Sequence, residues 1–410
     1  MTYPLILLAS SVLLIAFFIE YLGRTFRFPS VVALIVVGIV GQLVMNYFDL
    51  ELKGLKLLVP ILGTLGLILI VLEGAADIEL RRERLALIID ASIIAFGGIL
   101  CCVAIYALLA MSVLGLALFQ AVTLAVPFAV ISSAVAIPSS SFLPAHDREF
   151  VVYETSISDV LGVLIFFSLL HSDGSPVGVL TGLLGGGILS LLTSIVCALG
   201  LVLLLMRISG QVRFIPLLAG LFGLYAIGEL MHISSLIMVL LFGLALNNPQ
   251  LITRIPFLSH WIDESYDTTL DEFKMILIEL TFAIRGFFFI LLGFSTKLEA
   301  IFSWSAWFAA MLILSVIYSS RYLLLKLRNH TQVDALTWLA PRGLITILLY
   351  LSAKEVWPLP EFLDGTVVIV VLTSSLLILQ ASRKTRNHET DAINTTTGAD
   401  APRTPEIRIP

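Results

Sequence analysis

Charge is what this chain of 410 residues has little of: 13% of it is Asp, Glu, Lys or Arg, against about 25% in soluble domains. That scarcity excludes an ordinary water-soluble globule, and no nucleic-acid partner is expected. Cysteine is scarce as well. Cys101, Cys102 and Cys197 all fall inside apolar runs, so they read as small packing residues rather than as a disulfide framework. The apolar runs contain no His-Glu metal motif and no Gly-x-Ser-x-Gly elbow, so an intramembrane enzyme is not expected, nor is a cofactor.

What fills the chain instead is apolar: 59% of it is hydrophobic and its mean hydropathy is +1.03. Stretches near 20 residues, about the length that crosses a bilayer, recur throughout. They predict an all-α polytopic membrane protein with thirteen spans. The spans lie at about 3–22, 29–46, 56–76, 87–112, 116–143, 149–171, 176–206, 212–231, 233–247, 273–296, 303–324, 333–353 and 363–382. Residues 1–382 then form the transmembrane domain, and the polar segment 383–410 a short disordered tail. Loop charge tests the count independently. Assigning alternate loops to one side gathers sixteen Lys and Arg residues there, from Arg24 to Arg386, and leaves Lys53, Lys56, Lys297 and Lys354 on the other. The basic side is cytoplasmic by the positive-inside rule, which places the N-terminus outside and the C-terminus inside. A plasma (inner) membrane location is expected.

Against this background two acids stand out. Asp159 lies in an apolar run, five residues after Glu154 in Glu154-Thr155-Ser156-Ile157-Ser158-Asp159, and Val160 through Leu170 offer scarcely a polar atom. A carboxylate at membrane depth costs roughly 2.5 kcal/mol or more on insertion scales, so an intramembrane acid is a functional candidate, most often for ions or protons. With a helical rise of about 1.5 Å per residue the two lie within about 8 Å along one helix.

The preceding span carries Ile131-Ser132-Ser133-Ala134-Val135-Ala136-Ile137-Pro138-Ser139-Ser140. Pro138 lacks an amide hydrogen and clashes with the carbonyl four residues earlier, at Ala134. Free carbonyls at membrane depth survive only where protein or a water-filled cavity meets them. An unwound segment here would offer carbonyl and hydroxyl oxygens to alkali cations; a packing kink is the plainer alternative. Span 333–353 has a matching interruption, Pro341-Arg342-Gly343, between Thr337 and Thr346. Corresponding breaks in two halves point to a transporter of two inverted repeats with its site at the midplane. Each repeat would hold six spans, with 176–206 left between them.

These motifs together resemble the monovalent cation/proton antiporter superfamily, in particular the NhaP-like branch of sodium/proton exchangers, over nearly all of residues 5–382. Glu154 through Asp159 is similar to that branch's E-S-x-x-N-D signature, with Ser158 where Asn is usual. Leu72-Glu73-Gly74-Ala75-Ala76-Asp77 is similar to its motif closing the third span, Phe287 through Gly293 to its F-F-F-V-L-L-G, and Pro341-Arg342-Gly343 to its R-G. The resemblance implies secondary-active exchange of Na⁺, with Li⁺ possible, for H⁺ by alternating access, electroneutral and one for one, in a homodimer in the lipid bilayer. Asp159 would bind cation and proton in turn, with Ser158, Thr155, Ser132 and Ser133 completing the shell. Glu154 would form a structural ion pair; the resemblance suggests Arg321, with Arg342 and Arg285 as alternatives. The unwound stretch lacks the second carboxylate that the branch often carries, which leaves K⁺/H⁺ exchange as the second reading. A cation channel is a third.

Other features read more simply. Asp90, Glu20 and Glu73 lie near span ends, where interface roles are expected. His146 reads as a loop histidine, although His146 and Arg148 could sense pH. Gly182, Gly185, Gly186 and Gly187 suit close helix packing. The loop 248–272 reads as a linker, with an ion-attracting vestibule as the sharper alternative.

Overall fold

The computed structural model describes residues 2–26, 28–48, 55–76, 78, 82–170, 172, 192–193, 195–197, 199–201, 214–230, 235–250, 266–330 and 332–399. The expected span 176–206, most of the loop 248–272, Asp77 and the last residues of the tail lie largely or wholly outside them. Among the described residues every regular element is a helix, as a bilayer demands of segments that must satisfy their own backbone. Those of six residues or more are, in chain order, α1 (Thr2–Phe26), α2 (Ser30–Tyr47), α3 (Leu55–Ala76), α4 (Leu85–Leu114), α5 (Leu118–Ala129), α6 (Ser133–Ser139) and α7 (Ala145–Leu170). They continue with α8 (Phe214–Leu230), α9 (Ser235–Asn247), α10 (Tyr266–Ser295), α11 (Trp304–Leu327), α12 (Val333–Trp338), α13 (Leu344–Val356) and α14 (Phe362–Ala399).

Among the described residues, seven helical segments are long and apolar enough to cross a membrane, with α5 and α6 taken together as one, and four shorter helices are apolar. Helix ends follow local chemistry. Gly115 stops α4 at φ 65°, the left-handed conformation that glycine adopts without strain. The last helix, α14, runs from Phe362 to Ala399.

The helices form two groups. In one, α10 packs on α1, α2 and α3, and α9 packs on α3. A Cβ at Gly38 would strike the Ile290 carbonyl and one at Gly293 would strike the Ile35 carbonyl, so this crossing of α2 and α10 depends on small residues. In the other group α4 packs on α5, α7 and α11, α6 on α7, and α14 on α11 and α12. Phe150, Phe166, Phe242, Phe273, Phe288 and Phe289 are fully buried between helices. Large apolar side chains such as Phe18, Leu108, Trp304 and Phe308 point outward, as lipid-facing residues do.

Candidate ion site

The helix α5 stops at Ala129 and its continuation α6 starts at Ser133. Val130 and Ser132 between them are extended. Three consecutive amides therefore leave the helical ladder, and each finds a different partner. Ile131 N–H donates to Ser158 Oγ at 3.0 Å, Ser132 N–H to the Pro341 carbonyl at 2.9 Å, and Ser133 N–H to Asp159 Oδ2 at 3.0 Å. Pro341 belongs to the second interrupted helix, which unwinds between Trp338 and Leu344. The two unwound stretches thus cross in contact, one bonding the other. A Cβ on Gly343 would meet the Ser132 side chain, and one on Gly162 of α7 would meet Val130; both glycines allow this approach.

Carbonyls released at the break are met by arginine. Arg342 is 1% exposed, and its guanidinium donates to the carbonyls of Phe128 at 2.7 Å, Ala129 at 3.2 Å and Ala340 at 3.0 Å. Its own amide donates to Ser374 Oγ at 2.9 Å. Satisfying the backbone this way is what membrane depth requires of non-helical chain. Asp159 is the contrasting member. It is 4% exposed, Oδ2 holds the Ser133 amide, and Oδ1 is buried with no hydrogen-bond partner. The Ser132 and Ser133 side chains, both buried, come from the stretch that donates to it. One carboxylate oxygen left open beside hydroxyls and loose backbone is a set of hard donors suited to a proton or an alkali cation. Behind the site, Glu154, Ser158, Arg321 and Arg342 line a cavity of about 20 Å³, room for one water.

The family model for the sodium/hydrogen exchanger, transmembrane, matches residues 12–381. The chain belongs to the sodium/hydrogen exchanger family. Among the solved structures that share its fold are two of the sodium proton antiporter MjNhaP1 from Methanocaldococcus jannaschii. One, at pH 8, has a TM-score of 0.69 at 17% identity, covering 92% of this chain and 97% of that one. The other, from an electron-microscopy map, has a TM-score of 0.66 at 20% identity, covering 92% and 95%. No curated protein matches the chain significantly. As a member of this family the protein is a multi-pass membrane antiporter of cations and protons.

In this exchanger Glu154 is fully buried and meets Arg321, which is 4% exposed. The pairing is bidentate: Nη1 lies on Oε1, and Nη2 donates to Oε2 at 2.8 Å. Arg321 Nε also donates to the Leu336 carbonyl at 2.7 Å, near the end of α12. Each interrupted helix thus has an arginine on the carbonyls that precede its break. The alternatives of Arg342 or Arg285 as the partner of Glu154 are corrected by this geometry. Arg342 is spent on three carbonyls, and Arg285 Nη1 reaches the Ala134 carbonyl at 3.4 Å.

Pro138 needs correcting too, because it lies inside α6 and the break falls at 130–132. The proline still withholds the amide that Ala134 would use, and Arg285 stands in for it, so the helix persists. Pro341 and Gly343 do lie in the second unwound stretch. Thr155 donates its hydroxyl to the Val151 carbonyl at 2.8 Å, and Ser158 accepts the Ile131 amide. Both side chains are buried around the site and engaged with backbone. His146 and Arg148 are exposed at the start of α7. Asp90 binds Arg328 at 2.6 Å, and His330 Nε2 lies 2.9 Å from its other carboxylate oxygen. Sequence patterns gave no sign of Ser374 as the acceptor for Arg342 or of the His330 contact, because these partners come from distant segments.

Proposed function

We propose that the exchanger carries Na⁺ against H⁺, one for one, with Asp159 binding one ion or the other at the crossing of two inverted six-span repeats. The observation that carries this is the carboxylate itself. Oδ2 is positioned by the Ser133 amide, and Oδ1 is buried without a partner. A buried polar oxygen with nothing bound to it is unfavourable; a proton or a cation relieves it, and only one of them fits at a time. In water-poor surroundings a carboxylate generally favours its neutral form, which lets protons compete with cations for the same oxygen. Ser132, Ser133 and neighbouring carbonyls supply further ligands. Movement of one helix group against the other then exposes the loaded carboxylate on alternate sides.

In the same reading the protein is a transporter without a chemical reaction or a cofactor, it sits in the plasma membrane as a homodimer, and its arginine-rich loops and C-terminus face the cytoplasm. The test is flux in proteoliposomes under imposed pH gradients with Na⁺, Li⁺ and K⁺ in turn, at clamped voltage. Na⁺-driven proton movement independent of potential supports the proposal. Movement driven by K⁺ alone transfers it to K⁺/H⁺ exchange. Conduction without proton coupling, seen as single-channel currents, refutes it.

A further inference from the structure

Arg285 is a membrane-embedded cation that the exchange step above leaves unused. It lies in the C-terminal half of α10, half-buried, and its Nη1 donates to the Ala134 carbonyl at 3.4 Å. This is the carbonyl that Pro138 deprives of its helical donor. The preceding residue, Ser133, has its amide on Asp159. Arg285 therefore grips α6 one residue after the amide that holds the ion carboxylate.

It does so from the opposite helix group. α10 is fastened to α1 and α2 by close approaches at Gly286 to Ala16, Gly38 to Ile290 and Gly293 to Ile35, whereas α6 packs on α7. Between the groups opens a cavity of about 410 Å³ lined by Arg285 with Glu20, Ser30, Pro138, Ser139 and Phe142. The guanidinium thus lines the cavity and holds one of its walls.

We infer that Arg285 is a positioning residue and a latch. Through the Ala134 carbonyl it holds α6 in the arrangement in which the cavity is open, and it releases when the two helix groups move past each other. The inference rests on the proposed exchange at Asp159 for its meaning, although the latch is measurable without transport. A guanidinium suits the task because it is always charged and presents several donors, and a bond as long as 3.4 Å is one that a movement of the helices can break. A contact made in one of two conformations and absent from the other biases their populations by its own free energy.

The experiment places Ser139→Cys, on the cavity wall, in a background where Cys101, Cys102 and Cys197 are alanine. Purified protein in nanodiscs is reacted with a bulky polar maleimide, with Arg285 intact or changed to Ala, Gln or Lys. Loss of the latch lowers the open population, so Arg285→Ala is expected to slow labelling about fivefold, the scale of one hydrogen bond of ordinary strength. Lys, which keeps the charge and donates from a single ammonium group, is expected to restore part of the rate and Gln less. In proteoliposomes the apparent KM for Na⁺ on the cavity side is expected to rise by a similar factor, a change that general destabilisation would not match to the labelling. Labelling that is unchanged or faster in Arg285→Ala overturns the inference. Should Arg285→Ala fail to fold, equal rates for Arg285, Gln and Lys overturn it. Labelling as expected in a protein that moves no cation against protons refutes the proposed function and leaves the latch standing.

Discussion

Ser133 presents its backbone amide to Asp159 Oδ2 at 3.0 Å, and the other oxygen of that carboxylate, though buried, accepts nothing. One residue is therefore both tied to the unwound helix and open to an ion. Asp159→Asn keeps the volume and, with its amide oxygen toward Ser133, keeps the hydrogen bond while deleting the charge. Coupled Na⁺/H⁺ movement in reconstituted vesicles is expected to vanish, with a melting temperature within a few degrees of the parent. Retention of more than a few per cent of coupled exchange would sink the role given to Asp159.

Glu154 and Arg321 are separated by 167 residues and meet in a buried bidentate pair. Glu154→Gln strands the guanidinium, at a cost of roughly 3–5 kcal/mol, whereas removing both charges is often far less damaging. Thermal unfolding is expected to show a large loss for Glu154→Gln and partial recovery in Glu154→Gln/Arg321→Met, incomplete because the Leu336 carbonyl also loses its donor. A fully stable Glu154→Gln that no longer transports would move Glu154 into the ion site.

Arg342 serves geometry more than charge. Its fork spans the carbonyls of Phe128, Ala129 and Ala340, and lysine, a point charge on a flexible stem, does not reproduce a planar fork. Arg342→Lys should therefore destabilise by about 1–3 kcal/mol for each carbonyl left unsatisfied, measured by thermal unfolding in detergent. Stability equal to the parent would show that positive charge alone is needed there.

Ser132→Ala and Ser133→Ala keep both backbone amides in place, so the Ser132–Pro341 and Ser133–Asp159 bonds survive. If the hydroxyls ligate the cation, apparent affinity should fall on the order of 5- to 100-fold, by analogy with a lost buried hydrogen-bond partner, with proton binding at Asp159 retained. Titrations with Na⁺, Li⁺ and K⁺ read this out. Unchanged affinities in both variants would leave backbone carbonyls as the ligands of that stretch.

The crossing itself can be tested at Gly343, where an added Cβ would lie 2.8 Å from the Ser132 Cβ and closer still to its hydroxyl. Gly343→Ala should destabilise by about 1–3 kcal/mol, the usual range for overpacking. Adding Ser132→Gly should recover much of that loss in a thermal melt by removing both clashing atoms. No recovery would mean that the strain lies elsewhere along the unwound stretch.

How far the sequence reaches is visible in particular residues. Membrane class, the all-helical fold and the approximate span positions follow from the chain alone, because transfer into lipid depends on each segment's own length and polarity. Asp159 is conspicuous for the same reason, as an acid with no polar surroundings. Pro341 and Gly343 mark an unwound stretch that they occupy, yet Pro138 sits six residues beyond Ser132, at the other break. A proline shows which hydrogen bond is lost but not whether another part of the protein replaces it, and Arg285 does so here. Equally, Arg285, Arg321 and Arg342 look alike by composition and spacing as partners for Glu154. The family resemblance favours Arg321, and the fold separates all three, into a grip on Ala134, an ion pair and a clamp on the broken helix. Such assignments depend on which distant backbone groups are brought within about 3 Å, and that is settled by how the helices cross, which no local pattern encodes.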